Sequence, residues 1–186
     1  MNYSFLMGYY SSLIERKFRG RTIGQYEQIR KEYADFLMSE EEMRVREIKK
    51  ILIPIDYFVE PPAPGLVWVL SVYQAEIHIA YIVDRDVLRL LEEIGGAKLR
   101  DEYQVKKEVA GREKLAAFSR IIGHEGIRVT TSLFTGSQIE DALRLSEGYD
   151  IIAVSRGYGS GTTEAVPASP AAIQVTQRAR CSVLIY

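Results

Sequence analysis

Few positions in this 186-residue chain carry side chains of a type and spacing that do chemistry. Asp56 directly follows the apolar run Ile51–Ile55, so a carboxylate stands at the end of whatever element that run forms. Its plain role is to cap a turn, and its sharper one is to accept hydrogen bonds from a ligand. Gly157-Tyr158-Gly159-Ser160-Gly161 is dense in glycine, which by itself marks only a loop. It is not a P-loop, because no Lys-Ser/Thr follows at the required spacing. Ser160 is not a nucleophile-elbow serine either, since Tyr158 rather than glycine stands two residues before it. His78 falls inside an apolar run and His124 in a turn; with the single Cys181 they spell no zinc pattern. Cys181 itself reads as a small hydrophobe.

The bulk composition narrows the function classes. Lys and Arg number 24 against 25 Asp and Glu, so there is no excess of cations to release counterions from a nucleic acid, and no nucleic-acid partner is expected. One cysteine permits no intrachain disulfide and fits a reducing compartment, so the cytoplasm is the expected location. No apolar run approaches the ~20 residues of a membrane span. The segment Met1–Ile14 is apolar and aromatic but lacks a basic start and is interrupted by polar residues, unlike a signal peptide.

The elements that must position these residues fall into two regions, 1–48 and 49–186. In the first, Tyr26, Ile29, Tyr33, Phe36 and Leu37 recur at helical spacing, which predicts an amphipathic helix over 25–38. Ser39 and Glu42 then form a capping box that opens a second helix through Lys50. This helical arm cannot build a core alone and is expected to pack on the main body or on a protein partner; its cluster Arg16, Lys17, Arg19 and Arg21 also admits contact with a membrane surface. In the second region, apolar strands over 51–55, 76–83, 127–134, 150–155 and 181–186 alternate with helices over 66–74, 107–122, about 138–147 and 170–178. A strand competes with the helix over 66–72, and 84–106 reads as charged and poorly periodic. Ser137 with Glu140 spells another capping box, and Ser169-Pro170 spells a hydroxyl cap with proline at the first helical position. The alternation predicts an α/β fold with a doubly wound, five-stranded parallel sheet.

Several phrases occur together in one order: Lys49-Lys50-Ile51-Leu52-Ile53-Pro54-Ile55-Asp56, then Glu76–Asp84, then Tyr149-Asp150-Ile151-Ile152-Ala153-Val154-Ser155-Arg156-Gly157, and finally Ala179–Tyr186. In that order they resemble the opening, second, fourth and closing strands of the universal stress protein family. The resemblance covers residues 49–186 and leaves the arm outside. It implies a Rossmann-like sheet, a nucleotide site in ATP-binding members and frequent dimerisation. Ligands of open α/β sheets sit beyond the carboxyl ends of the strands, where strand order reverses. The nucleotide-binding residues so implied are Asp56, Ile82, Val154, Ser155, Gly157, Gly159 and Ser169. Asp56 would accept from ribose or adenine, Ile82 would offer backbone groups to the base, and the glycine amides would approach phosphates. The chain departs from the family's Gly-x2-Gly-x9-Gly-Ser/Thr pattern. Val154 replaces the first glycine and fills space left for the ribose. Ala168-Ser169 stands for the closing pair one residue late, and Pro170 has no N–H to donate.

The function expected is a stress-response regulatory module that binds ATP or AMP, with Mg accompanying ATP, and is not a dedicated catalyst. The alternative is the same fold with the nucleotide site lost, acting as a dimeric protein-interaction module through the N-terminal arm. A homodimer is expected through Cys181–Tyr186, a short apolar strand with no charge, proline or bulge to blunt its edge.

Overall fold

The computed structural model describes residues 47–186 apart from 125 and 164, which form the unit Glu47–Tyr186. The arm helix over 25–38 and the start of the second helix lie outside the described residues. The end of that second helix does not reach Lys50. Residues 47–49 are irregular and Lys50 already opens a strand. Asp150 is the reason: its Oδ2 accepts the backbone N–H groups of Lys49 and Lys50 at 2.9 and 3.0 Å and holds them extended.

The order of elements is β1 (Lys50–Ile55), α1 (Pro64–Tyr73), β2 (Glu76–Asp84), α2 (Arg85–Gly123), β3 (Val129–Gly136), α3 (Gln138–Ser146), β4 (Ile151–Val154), α4 (Pro170–Arg178) and β5 (Ser182–Ile185). All pairings are parallel, and the sheet order is β3-β2-β1-β4-β5. Strand order therefore reverses between β1 and β4. Ile51, Leu52, Ile53, Ile55 and all of β4 are buried, as a parallel sheet covered on both faces requires.

Pro54 shapes the reversal point. Lys50 accepts from Asp150 on the β4 side, so strand alternation turns the nitrogen of Pro54 toward β4 as well. Proline has no N–H to give there. The β1–β4 register ends at Leu52↔Ile152, whereas β1–β2 continues to Ile55↔Tyr81. The two central strands thus part at their carboxyl ends.

The segment 66–73 is helix and not strand. Pro64 occupies the first turn, where its missing N–H costs nothing, and Gln74 ends the helix at φ 54°. Of the stretch 84–106, residues 85–106 are also helical, against the reading from periodicity. Asp84 caps it by accepting from the N–H groups of Asp86 and Val87, and α2 runs on to Gly123 with one break at Gly96, φ 74°. Two facts hid it: the helix is largely exposed here and shows no apolar stripe, and the break shifts its phase. Ion pairs Arg89–Glu93 and Lys98–Glu102 support it instead. Gly111 lets α2 lie close on the sheet, since a Cβ there would sit 2.7 Å from the Tyr81 ring and 2.9 Å from Leu133.

At α3, Ser137 Oγ accepts from the N–H of Glu140 at 3.4 Å, but the returning partner is Asp141, which takes the Ser137 N–H at 2.8 Å. Glu140 instead pairs with Arg178 of α4 at 2.7 Å. β3 begins and ends two residues later than expected, at Val129 and Gly136. Among the described residues no helix is long and apolar enough to cross a membrane.

Candidate functional site

Asp56, one residue past β1, is 1% exposed and takes four hydrogen bonds. Oδ1 accepts from the N–H groups of Phe58 at 3.0 Å and Val59 at 3.2 Å. Oδ2 accepts from the N–H of Gly159 at 2.8 Å and from Nε2 of Gln138 at 3.1 Å. A carboxylate has about four acceptor sites, so Asp56 is full. It both caps its own turn and clasps the loop after β4 to the end of β1. Burial is the larger influence and pushes its pKa up, against the amides of Gly159, Phe58 and Val59 and the charge of Lys114, which pull down.

The glycine loop is fixed from several sides. Tyr158 is fully buried, and its hydroxyl donates to the carbonyl of Gln138 at 2.6 Å; burial puts that hydroxyl well above its ordinary range. Ser169 is buried at the N-cap of α4, where its hydroxyl donates to the Tyr158 carbonyl and accepts the N–H of Ala172 at 3.0 Å. Ser155 Oγ accepts the N–H of Gly157 at 3.2 Å. Tyr186 lies in the field of Asp56 with its hydroxyl buried and unpartnered among the described residues; burial above all pushes it up.

Beside this clasp is a cavity of about 70 Å³ at the carboxyl ends of β1 and β2. Asp56, Ile82 and Gly159 line it, so three residues named from the sequence meet there. Val154 is fully buried in β4, and Val154, Ser155, Gly157 and Ser169 lie outside the lining. Tyr57, Tyr103, Lys107 and Gln138 also belong to the wall and were not anticipated. For Tyr103 and Lys107 the signal in the sequence is the spacing Tyr103, Lys107, Gly111, Lys114, one face of a helix. Tyr81 also faces the cavity, its phenol pushed up to about 12 by burial and then by Asp56. A larger depression, about 320 Å³, lies between Gln74–Glu76 and Gly126–Arg128 at the amino ends of β2 and β3. Its size does not make it the better site, because ligands of this sheet type bind at the carboxyl ends beside the reversal point.

The comparisons with known proteins sort by structure alone. No protein-family model matches the chain, and no curated protein matches it. Among solved structures, universal stress protein UspA from Lactobacillus plantarum superposes with a TM-score of 0.56 at 16% identity, over 76% of this chain and 99% of that one. The fold is that of the universal stress proteins. Hypothetical protein MJ0577, the subject of a structure-based assignment of biochemical function, shares this universal stress protein fold at a TM-score of 0.60 and 18% identity, over 75% of this chain and 96% of its own. Hypothetical protein PH0823 superposes with a TM-score of 0.50 at 16% identity, over 74% of this chain and 95% of that one.

Proposed function

We infer that this chain is a stress-related regulatory binding module that responds to an adenine nucleotide, ATP or AMP, and is not a dedicated catalyst. The observation that supports it is the place of the cavity, between Asp56, the end of β2 and Gly159, at the reversal of strand order. Its walls carry the polar groups such a ligand uses: a carboxylate, backbone groups at Ile82–Asp84, an amide side chain and an ammonium group. Mg would arrive with the triphosphate. A catalytic role has less support, because Asp56 is already saturated with donors and is a poor general base. The free thiol of Cys181 is in keeping with the cytoplasm.

The chemistry of the walls suits a nucleotide, but the small volume does not. About 70 Å³ is well under the roughly 300–1,000 Å³ of small-molecule pockets, so entry requires the segment after Asp56 or the loop after β4 to yield. Binding is therefore expected in the micromolar range or weaker. Calorimetry of the full chain with ATP and AMP measures it. Heat that saturates in that range supports the reading. No heat at millimolar ligand would leave the alternative, a self-filled site on an interaction module, which the small cavity favours.

The partner proposed for either reading is a second copy joined through β5. That strand lies at the edge of the sheet, and Ile185 on it is 47% exposed. Ser182 and Tyr186 donate inward to Asp150 and Val154, so alternation turns the N–H groups of Val183 and Ile185 outward. Proline at Leu184 would break the pairing with β4, whereas Ile185→Pro removes only an outward donor. Light scattering is expected to show a dimer for the intact chain and a monomer for Ile185→Pro. A monomeric intact chain, or a dimer indifferent to that proline, would refute the β5 interface.

A further inference from the structure

Lys107 and Lys114 stand seven residues apart on α2, two helical turns, and so share one face. Both reach the segment that follows Asp56. The Lys107 ammonium lies 3.3 Å from the centroid of the Tyr57 ring, and the Lys114 ammonium lies 5.6 Å from the same centroid. Lys114 also donates to the carbonyl of Tyr57 and, at 2.6 Å, to that of Val59. Among the described residues neither lysine has a carboxylate oxygen within 4.0 Å, although Arg100, Arg144 and Arg178 each do. Burial lowers both lysines, while the charge of Asp56 at Lys107, and those of Glu60 and then Asp56 at Lys114, work the other way.

Partly buried cations are normally paired, because desolvation is costly. Here two of them sit together over the rings of Tyr57 and Tyr103 and two backbone carbonyls, with Glu60 and Asp56 acting on Lys114 from beyond ion-pair distance. A phosphoryl group offers charged acceptors, and charge-assisted hydrogen bonds are stronger than neutral ones. The anion cradle expected after β4 is meanwhile in use. The Gly159 N–H is on Asp56, the Gly157 N–H is on Ser155, and the Ser169 hydroxyl is on Tyr158 and Ala172.

We propose that the phosphoryl end of the ligand is taken by Lys107 and Lys114 of α2 and not by the glycine loop after β4. The Tyr57 ring and the carbonyls of Tyr57 and Val59 are the neutral stand-ins that it displaces. This rests on the nucleotide reading above for the rest of the ligand, but the phosphoryl contact can be tested without it.

The experiment is calorimetry of the full chain with ATP, adenosine and inorganic tripolyphosphate, for the wild type, Lys107→Gln and Lys107→Arg. Lys107 carries the test because it lies over the faces of Tyr57 and Tyr103, so its loss leaves the backbone bonds of Lys114 in place. ATP and tripolyphosphate are expected to weaken about tenfold or more in Lys107→Gln and to recover in Lys107→Arg, with adenosine unchanged. Equal ATP and tripolyphosphate affinities in all three proteins would overturn the lysine site and leave the nucleotide reading standing. Lysine-dependent binding of tripolyphosphate, with ATP held no better and adenosine not at all, would support the site and end the nucleotide reading. A wild type that binds neither ATP nor tripolyphosphate overturns the proposal.

Discussion

Asp56→Ala is expected to lower the stability of the α/β unit by about 2–4 kcal/mol, a fall in Tm on the order of 5–15 °C. The variant removes one carboxylate but leaves the N–H groups of Phe58, Val59 and Gly159 and the Gln138 amide without their acceptor. Orphaned buried donors cost more than the bonds contributed net, at about 1–3 kcal/mol each. Relief of the buried charge offsets part of that. Asp56→Asn separates the two halves of the clasp. Its carbonyl oxygen can keep Phe58 and Val59, while its NH2 group faces the Gly159 N–H, donor against donor. The expected loss is smaller, about 1–2 kcal/mol, and falls on the loop after β4. Thermal or denaturant unfolding of the three proteins decides, and two variants as stable as the wild type would show that the clasp contributes nothing.

The pH dependence of that difference has a definite sign. Burial holds the folded pKa of Asp56 above its ordinary 3.8, so between those two values the native state binds more protons than the unfolded chain. Stability contributed by this group is therefore full below 3.8 and falls as pH rises through the window. The other carboxyl groups titrate alike in wild type and Asp56→Ala, so they cancel in the comparison. The stability gap between the two is expected to be widest at acid pH and to narrow toward neutral pH. A gap that widens with rising pH would mean that the amides of Gly159, Phe58 and Val59 outweigh burial.

What could be read from the sequence followed burial. Ile51–Ile55 and Ile151–Val154 are apolar without alternation because both faces are covered, and that pattern stands out from any background. Ser169-Pro170 named the start of α4 because cap chemistry is local. The first half of α2 escaped because an exposed, charged helix with a glycine break has no periodic stripe to display. Of the site, single residues were legible and their assembly was not. Asp56 and Gly159 are each conspicuous, but the bond between them joins residues 103 positions apart, and only the folded sheet brings them together. Tyr103 lies in the part of α2 that periodicity did not find, and Lys107 at the very start of the part that it did. Tyr57 looks like an exposed loop aromatic until the two lysines are placed over its ring.

Gly159→Ala is expected to cost about 2–4 kcal/mol, whereas Gly161→Ala, two residues away, should stay within about 0.5 kcal/mol of the wild type. Two separate reasons apply at Gly159. Its φ is +88°, where an L side chain is strained by about 1–3 kcal/mol. An added Cβ would also collide with the Cβ of Ala171 in the first turn of α4, and that atom is tied to the helix and cannot swing aside. At Gly161 nothing lies within 4 Å, and at Gly157 the nearest atom is the Phe58 carbonyl oxygen at 3.6 Å, an ordinary contact. The three glycines therefore look alike in sequence and differ in kind. Adding Ala171→Gly to Gly159→Ala removes the collision but not the strain, so partial recovery is expected. Because the Gly159 N–H is the bond that closes the loop onto Asp56, the same variant should speed amide exchange at 157–161 beyond what global unfolding explains. Equal stability of Gly159→Ala and Gly161→Ala, with unchanged exchange in the loop, would show that the clasp does not hold the loop shut.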